Sequence, residues 1–281
     1  MAAKLIDGKA LAAKVKGQVR AEAEALPRKP GLAVILVGDD PASRVYVTSK
    51  RKDCEECSLY SEEYALPTST TQKELLDLVR ELNGREDIDG ILVQLPLPKG
   101  LDEREVLLAI DPAKDVDCFH PYNVGQLTIG APVFQPCTPG GVMEMLREYG
   151  IDPAGKRCVV LGRSNIVGKP MALLLLHANG TVVMCHSKTP DMAALAASAD
   201  ILVSAVGKRG LVTGDMVKEG AVVIDVAVNR DEQGKLCGDV DYGPVAEKVS
   251  YITPVPGGVG PVTRAVLMEN TLNAALMHKK K

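Results

Sequence analysis

The sequence predicts an α/β fold of two α/β lobes, and three observations support it. From residue 31 onward, short apolar runs alternate with stretches of helical periodicity, as in parallel sheets with helices on their faces. This alternation stops in a loop-rich stretch, residues 111 to 137, and starts again at Lys156. The chain has 281 residues, of which 46% are hydrophobic, so its length suits one large or two modest domains, and we expect two.

The first lobe is predicted to contain three strands. Residues 31–37 form a continuous apolar run, typical of a strand that is buried on both faces. Asp39 to Ser43 then supply turn and N-cap residues, so a helix starts at the carboxyl end of this strand. The further elements are strands at 59–66 and 90–95 and a helix at 71–83. The apolar stripe of that helix consists of Leu75, Leu76, Val79 and Leu82.

The second lobe is predicted from the pattern that restarts at Lys156. Its order of strand, glycine-rich turn, helix and strand is Rossmann-like. Thr138 is expected to cap a linking helix that ends at Tyr149, and an apolar helix at 262–277 is expected to return to the first lobe. The other expected elements are strands at 157–161, 181–185, 201–205 and 222–226 and a helix at 170–178. The predicted domains are 1–137 plus 262–281, and 138–261.

Composition excludes several classes of function. The net charge is −3, from 33 basic and 36 acidic residues, which is unlike a general polyanion binder. Lys279 to Lys281 form a basic end that we expect to be solvated. Two Phe and no Trp argue against an aromatic platform for nucleic acid. No apolar run reaches membrane length and the first residues lack a secretory signal, so we expect a cytoplasmic protein without membrane or nucleic-acid partners.

The seven cysteines lie mostly in apolar contexts. Their odd number favours reduced thiols that fill cores. Cys54 and Cys57 have the spacing of a redox or zinc pair, but the two residues between them are acidic and no second close pair completes a set of four ligands. A functional thiol pair is therefore disfavoured.

A phenol and an amine stand four residues apart in the helix after the first predicted strand. Residues i and i+4 share a helix face, so the Tyr46 hydroxyl could hold the Lys50 amine and tune it for proton transfer. Ligands bind at the carboxyl edge of open α/β sheets, where this helix starts. The alternative is a solvated basic face that includes Arg44, Arg51 and Lys52.

Polar residues also follow the third predicted strand and occur in the junction. Gln94 stands at the carboxyl end of that strand, either in a site or as a surface amide. Asp115 and Asp117 flank one apolar residue, but neither a nearby His pair nor a third acid supports a metal site. Asp117 could instead accept two hydrogen bonds from an amino-substituted heterocycle.

The turn from Gly162 to Pro170 lies between a strand and a helix, the context in which a glycine-rich turn binds phosphate. It departs from G-x-G-x-x-G because Ser164 replaces the second glycine and Gly168 comes one residue late. A dinucleotide site is favoured over a purely structural turn because a strand and a helix flank these residues.

The end of the next strand indicates which dinucleotide binds. An acid there would hold the ribose 2′-hydroxyl of NAD, but residues 182–189 contain none. Arg163, Ser187 and Lys188 instead offer charge and donors suited to a 2′-phosphate. NADP is therefore predicted, and the alternative for Lys188 is simple exposure.

The order of the motifs separates the phenol and amine from the cofactor turn. In short-chain dehydrogenases, Tyr-x-x-x-Lys follows the cofactor turn in the same domain, whereas here it precedes that turn by more than a hundred residues. The pair therefore serves a substrate site. Residues 254–261 contain three glycines that would let backbone groups approach a flat ligand, unless they only form a turn before the last helix.

Six segments together resemble the bifunctional methylenetetrahydrofolate dehydrogenase/methenyltetrahydrofolate cyclohydrolase family over nearly the whole chain. They lie at 46–52, 90–98, 114–117, 136–139, 162–170 and 254–261. The resemblance implies oxidation of 5,10-methylenetetrahydrofolate with NADP to the 5,10-methenyl form, and its hydrolysis to 10-formyltetrahydrofolate. It implies a substrate and catalytic domain, a Rossmann-like NADP-binding domain and an active-site cleft between them. A cytoplasmic homodimer that serves one-carbon metabolism and purine biosynthesis is the further expectation.

The resemblance also implies roles by position. Lys50 would transfer the proton in the hydrolysis, with Tyr46 orienting it and Gln94 tuning its charge, while Asp117 would bind the pterin. The residues expected to bind folate are Tyr46, Lys50, Val93, Gln94, Leu95, Asp117, Pro256, Gly257, Gly258, Val259 and Gly260. The residues expected to bind NADP are Gly162, Arg163, Ser164, Ser187 and Val228.

Lys50 can act as a base near pH 7 only if its pKa is lowered, which requires burial or nearby cations. Arg51 and Lys52 are the candidates for those cations. The dehydrogenase step asks less of side chains, because two nitrogens flank the carbon that loses hydride and stabilise the cation. Positioning carries most of that chemistry.

Two residues depart from the family pattern, since Cys118 and Ala227 stand where the family usually has glycine. Cys118 is expected to shift the Asp117 loop and so to change substrate affinity. Ala227 adds a methyl group near the expected nicotinamide side and is expected to change the cofactor fit.

Two other functions are alternatives to the bifunctional enzyme. One is a dehydrogenase that has lost most cyclohydrolase activity, which the presence of Tyr46, Lys50 and Gln94 disfavours. The other is a non-catalytic NADP-binding or scaffold protein. Six coordinated motifs would be coincidental in such a protein.

Overall fold

The computed structural model describes residues 3–279 and confirms the α/β fold with parallel sheets. In chain order the first elements are β1 (Lys4–Leu5), α1 (Gly8–Glu24), β2 (Gly31–Val37), α2 (Pro41–Glu56), β3 (Tyr60–Leu66), α3 (Gln72–Gly84), β4 (Gly90–Val93), α4 (Glu103–Ala109), α5 (Pro121–Thr128) and α6 (Cys137–Glu148). The remaining elements are β5 (Arg157–Leu161), α7 (Gly168–His177), β6 (Thr181–Cys185), α8 (Met192–Ala197), β7 (Ile201–Ser204), a 3₁₀ helix (Gly214–Met216), β8 (Val222–Asp225), β9 (Asn229–Arg230), β10 (Leu236–Cys237), α9 (Tyr242–Ala246), β11 (Tyr251–Ile252) and α10 (Val259–His278).

The chain divides into two compact units. The three-strand unit comprises Ala13–Cys137 and Arg264–Lys281, and the six-strand unit comprises Met1–Ala12 and Thr138–Thr263. The predicted domain boundaries are therefore wrong for the start of the chain. The reason is that β1 pairs in parallel with β11, with Lys4 opposite Tyr251, and so belongs to the larger sheet.

The three-strand unit is built around β2, which lies between β3 and β4 in a parallel sheet. All seven residues of β2 are buried, as its apolar run predicts. Asp40 caps α2, since its Oδ2 accepts a hydrogen bond from Ser43 N at 2.7 Å. Thr71 and Glu74 form a capping box at the start of α3. The buried residues of α3 are those of the predicted stripe, Leu75, Leu76, Val79 and Leu82.

The six-strand unit contains a parallel sheet in the order β1-β11-β8-β7-β5-β6. β5 therefore has β6 on one side and β7 on the other. The carboxyl ends of parallel strands meet at one edge of a sheet, which is the edge where dinucleotides bind in such folds. The turn after β5 and the ends of β6, β7 and β8 all lie at that edge.

Several elements differ from the predictions. Helix α5 lies inside the stretch that was expected to be loop, and α6 begins at Cys137, so Thr138 belongs to its first turn and is not its cap. Helix α10 begins at Val259, three residues before its predicted start. Of the predicted basic end, Lys280 and Lys281 lie outside the described residues.

Residues 3–279 contain no helix that is both long and apolar enough to cross a membrane. The same residues contain no group of three His, Cys, Asp or Glu side chains that could hold a metal ion. All seven cysteines are free thiols. Burial raises the pKa of Cys54 and of Cys57 to about 12, so both are neutral thiols that resist ionisation.

Candidate active site

The structure brings Lys50 and Gln94 into direct contact in the three-strand unit. Lys50 Nζ donates a hydrogen bond to Gln94 Oε1 at 2.9 Å, from α2 to the segment after β4. Gln94 Nε2 donates to Leu95 O at 2.8 Å, which fixes the amide so that its oxygen faces the amine. Gln94, in the segment that follows β4, therefore fixes the position of the Lys50 amine.

The pKa of Lys50 is lowered, and the largest cause is burial of its amine. The charge of Arg264 also lowers this pKa, whereas the charge of Asp117 raises it. Arg51 and Lys52 are both exposed and are not among the causes. The cation that lowers this pKa is therefore Arg264, and the candidates Arg51 and Lys52 are not among its largest causes.

Arg264 lies in the part of α10 that belongs to the three-strand unit, and a buried carboxylate holds it there. Its Nε donates to Asp53 Oδ2 at 2.6 Å, and Lys16 Nζ donates to Asp53 Oδ1 at 3.0 Å. Asp53 is one helical turn after Lys50 on α2. Sequence reasoning missed Arg264 because more than two hundred residues separate it from Lys50 and no local pattern connects them.

Tyr46 lies on α2 as predicted, and 40% of the residue is exposed. Within the described residues its hydroxyl has no hydrogen-bond partner, so no bond joins it to Lys50. The hydrogen bond by which the Tyr46 hydroxyl could hold the Lys50 amine is therefore absent from this structure.

The two acids of the junction have different environments. Asp115 is buried and accepts hydrogen bonds from Phe119 N, His120 N and Asn123 Nδ2. Burial raises the pKa of Asp115. Asp117 is only half-buried, and its charge acts on both Lys50 and the buried thiol of Cys137. Asp115 therefore shapes the loop, while Asp117 remains available to a ligand.

The other residues expected to bind folate occupy two places. Val93 is buried at the end of β4 and Leu95 is half-buried just after it, both in the three-strand unit. The remainder, residues 256–260, belong to the six-strand unit. Gly257 has a φ of +104°, and a Cβ at Gly258 would lie 2.4 Å from Pro254 O, so both positions require glycine. Val259 and Gly260 belong to the first turn of α10 and not to a loop.

The glycine turn joins β5 to α7 in the six-strand unit. Gly162 has a φ of +115°, and a Cβ on it would lie 2.4 Å from Ala205 O. A Cβ at Gly168 would lie 2.3 Å from Gly162 O, so the first turn of α7 packs directly on this backbone. Ser164 Oγ accepts hydrogen bonds from Val167 N and Gly168 N, each at 3.2 Å. The turn is a compact cradle at a helix N-terminus, suited to a phosphate group.

The residues expected around the cofactor are exposed at this edge. Arg163 and Ser164 lie in the exposed part of the turn, and Ser187 lies in a turn after β6, also exposed. His186 Nδ1 accepts a hydrogen bond from Lys188 N, which shapes that turn. Val228 is 50% exposed after β8. No acidic side chain occurs between 182 and 189, so the end of β6 has no carboxylate to accept a hydrogen bond from a free 2′-hydroxyl.

Two buried carboxylates stand behind this edge, and sequence reasoning missed both. Asp225 ends β8 and accepts hydrogen bonds from Ala227 N, Asp239 N and Val240 N. Burial raises the pKa of Asp225 to about 6. The side chain of Asp239 is hydrogen-bonded to the ends of β7 and to β9. Apart from Ala227, their partners lie ten or more residues away in the chain, so no motif reveals these two carboxylates.

Comparison with known proteins decides the family. A family model described as tetrahydrofolate dehydrogenase/cyclohydrolase, catalytic domain, matches residues 6–117. A second model, described as the NAD(P)-binding domain of the same family, matches residues 136–279. The chain belongs to the tetrahydrofolate dehydrogenase/cyclohydrolase family. The resemblance inferred from the six segments is thereby confirmed.

Relatives within this family match over the whole length. The bifunctional protein FolD of Acetivibrio thermocellus is 58% identical over 283 residues, which cover 100% of this chain and 99% of that protein. The FolD crystal structure from Campylobacter jejuni has a TM-score of 0.97 at 51% identity and covers 98% of this chain and 99% of its own. The FolD structure from Trypanosoma brucei, complexed with NADP and an inhibitor, has a TM-score of 0.96 at 42% identity and covers 100% of both chains.

Cys118 stands where the family usually has glycine, and the structure shows why glycine suits this position. Its φ is +64°, in the left-handed region that side chains with a Cβ adopt at a cost. The residue is buried, and Cys118 N donates to Asp115 O at 3.1 Å to close the turn. By contrast, Ala227 is buried without a positive φ. The effects predicted for Cys118 on substrate affinity and for Ala227 on cofactor fit remain predictions.

We expect Cys118→Gly to be more stable than Cys118→Ala by about 1 kcal/mol, because both remove the thiol but only glycine avoids the Cβ penalty. Urea denaturation of the two variants measures the difference. Cys185, buried in β6 without a positive φ, is the matched control, and there alanine should be the more stable. The same order at both positions would contradict the strain at Cys118.

Proposed function

We propose that the chain oxidises 5,10-methylenetetrahydrofolate to the 5,10-methenyl form with NADP and then hydrolyses that product to 10-formyltetrahydrofolate. The observation that carries this proposal is the Lys50 amine, which is held by Gln94 and has a lowered pKa. A lowered pKa makes the neutral form of the amine easier to reach, and the neutral amine can accept a proton. Family membership supplies the reaction class.

For the hydrolysis, we assign proton transfer to Lys50. Its neutral amine accepts a proton from the water that attacks the methenyl carbon, and Gln94 Oε1 accepts a hydrogen bond from the ammonium group that results. Arg264 makes that ammonium group less stable, so the proton can leave again. Asp117 raises the pKa of Lys50, and burial of the amine, Arg264 and Asp117 together set its working value.

For the folate substrate, we propose that the half-buried Asp117 accepts two hydrogen bonds from the amino-substituted pterin ring. Tyr46 is proposed to contact the substrate, because 40% of this residue is exposed. The remaining proposed folate contacts are Val93, Leu95, Pro256, Gly257, Gly258, Val259 and Gly260.

For NADP, the glycine cradle fits a pyrophosphate because a Cβ at Gly162 or Gly168 would clash with neighbouring backbone. The chemistry that bound NADP would supply there is acceptance of the hydride from the methylene carbon. We propose that Arg163 and Ser187 bind the 2′-phosphate, since both are exposed and no acid competes at the end of β6. Ser164 holds the cradle through its Oγ and retains its hydroxyl hydrogen for a phosphate oxygen, while Val228 offers an apolar surface.

We further propose that the three-strand unit is the substrate and catalytic domain and that the six-strand unit binds NADP. Family resemblance also supports a cytoplasmic homodimer whose product serves purine biosynthesis. A solution mass of twice 29.8 kDa would support the dimer, and a mass of 29.8 kDa would contradict it.

The deciding assay mixes the purified protein with 5,10-methylenetetrahydrofolate and either NADP or NAD. Reduced cofactor and the methenyl chromophore are followed separately. We expect NADPH to form without accumulation of the methenyl compound, because one protein carries out both steps. Accumulation of the methenyl compound would indicate a dehydrogenase with little hydrolase activity. No reduction of either cofactor would contradict the proposal and favour a binding protein.

A further inference from the structure

Asp239 is a buried carboxylate with an unusually complete set of donors. It follows β10, and 0% of the residue is exposed. Its two oxygens together accept five hydrogen bonds. Oδ1 accepts from Lys208 N at 2.6 Å and Asn229 Nδ2 at 3.0 Å, and Oδ2 accepts from Ser204 Oγ at 2.8 Å, Val206 N at 2.9 Å and Gly207 N at 3.2 Å.

These donors belong to two segments at the carboxyl edge of the six-strand sheet. Ser204 ends β7 and residues 206–208 form the loop after it, while Asn229 begins β9, one residue after Val228. One side chain therefore holds both the loop after β7 and the segment after β8. All five donors are neutral N–H or O–H groups, three of them from the backbone.

The loop after β7 lies directly beside the phosphate cradle. Ala205 N donates to Leu161 O at 2.8 Å, and the carbonyl of Ala205 is the atom that a Cβ at Gly162 would strike. In a Rossmann-like sheet the pyrophosphate sits at the turn after β5 and the 2′-phosphate of the adenosine near the end of β6. The nicotinamide half then extends to the other side of β5, where β7 and β8 end.

Two apolar side chains are exposed at that place. Val206 is 46% exposed and Val228 is 50% exposed, although both are aliphatic. Aliphatic side chains left open beside a phosphate cradle suit the face of a flat ring. The backbone N–H groups of residues 206–208 are already bonded to Asp239, so they are not available to the ring, and Val206 offers it an apolar surface.

We propose that Asp239 is a positioning residue for the nicotinamide half of NADP. It fixes the loop after β7 and the segment after β8 together, so that Val206 and Val228 keep one spacing and one orientation. The inference rests on the proposed function, because it requires NADP in the six-strand unit.

Asp239 is itself held rigidly. Its backbone N–H and that of Val240 donate to the carboxylate of Asp225 at the end of β8. Gly238 packs so closely that a Cβ on it would lie 1.9 Å from Asp225 Oδ2. Because Asp239 is fixed relative to the sheet, its hydrogen bonds also fix the two loops relative to the sheet.

The test compares NADP with 2′-phospho-ADP-ribose, a fragment that lacks the nicotinamide ring. In Asp239→Asn the side-chain NH₂ group faces N–H groups that the carboxylate accepted from, so those hydrogen bonds are lost. The side chain then no longer holds the two loops together. We expect the Kd of NADP to rise about tenfold while the Kd of the fragment changes by less than about twofold. Cyclohydrolase activity on the methenyl substrate, which uses no NADP, should also change by less than about twofold.

Asp231→Asn is the matched control. Asp231 also binds backbone N–H groups, those of Gln233 and Lys235, but in the turn between β9 and β10. It should leave both dissociation constants unchanged. If Asp239→Asn does not fold, Asn229→Ala decides the matter, because it removes one donor and should weaken NADP by about threefold without weakening the fragment.

Equal weakening of NADP and the fragment would overturn the inference, since it would indicate general damage to the cofactor unit. Unchanged NADP binding in Asp239→Asn would overturn it as well. Failure of the wild-type protein to bind NADP at all would remove the proposed function and the inference together, and this outcome is distinguishable because it needs no variant.

Discussion

Lys50→Met is expected to lower cyclohydrolase activity by at least about 10²-fold, because the variant has no group that can accept the proton of the attacking water. Methionine matches the length of the lysine stem and fits a buried position. Folate and NADP should therefore still bind, with dissociation constants within about threefold of the wild-type values. Hydrolysis of the methenyl substrate and separate binding titrations measure the two parts of this result.

Lys73→Met is the matched control for this variant. Lys73 lies on α3, its side chain is 84% exposed, and its ion pair with Asp77 is at the surface, where such pairs contribute little. It should leave hydrolysis unchanged. Full retention of hydrolysis by Lys50→Met would show that another group carries the proton.

The same substitution is expected to stabilise the fold. Burial lowers the pKa of Lys50 in the folded protein below its value of 10.5 in the unfolded chain. The stability that Lys50 contributes is therefore present above the unfolded pKa and is lost as the pH falls through the folded pKa. Methionine takes up no proton, so the free energy of unfolding should be higher for the variant near pH 7, and the gain should shrink toward pH 10.5.

Hydrolysis by the wild-type protein should increase with pH through the lowered pKa of Lys50, because the neutral amine is the active form. A pH–rate profile of the cyclohydrolase step checks this direction. A rate that falls as the pH rises through this range would mean that the protonated amine is the active form.

Arg163→Gln is expected to lower kcat/KM for NADP by about 10²-fold while kcat/KM for NAD stays within about threefold. The guanidinium of Arg163 is exposed in the turn after β5 and is proposed to bind the 2′-phosphate, which NAD lacks. The comparison of the two cofactors is therefore an internal test. Steady-state kinetics of the dehydrogenase step with each cofactor measures it.

Arg157→Gln is the control, because Arg157 is exposed at the opposite, amino end of the same strand β5. It should leave the preference for NADP unchanged. Equal losses with NADP and NAD in Arg163→Gln would show that Arg163 supports the turn and does not recognise the 2′-phosphate.

The sequence predicted the elements whose signal is local. Strands β2, β5 and β6 have the predicted bounds because each is a short apolar run between turns. Strand β1 was not predicted, since Lys4 and Leu5 carry no pattern and are strand only through pairing with Tyr251 and Ile252. Helix α5 was missed because its short sequence, with Gly125 in it, has little helical periodicity.

The candidate site shows the same division. Lys50 and Gln94 were each visible as polar residues at the carboxyl edge of a sheet, and the structure joins them. The roles of Arg264 and Asp239 could not be predicted from the sequence. Arg264 lowers the pKa of Lys50, and Asp239 accepts a hydrogen bond from Lys208 N, but no local sequence pattern connects either pair. Contacts of this kind depend on the tertiary fold.

The interleaved course of the chain has a consequence for synthesis and for truncation. Residues Met1–Ala12 belong to the six-strand unit and Arg264–Lys281 to the three-strand unit, so neither unit is a contiguous fragment. Cleavage after Cys137 would separate β1 from the rest of the six-strand unit and the last helix from the rest of the three-strand unit. It would also leave an edge of β11 unpaired. During translation, β1 cannot pair with β11 until Ile252 has emerged from the ribosome. The two units therefore become complete almost together, near the end of translation, and not one after the other.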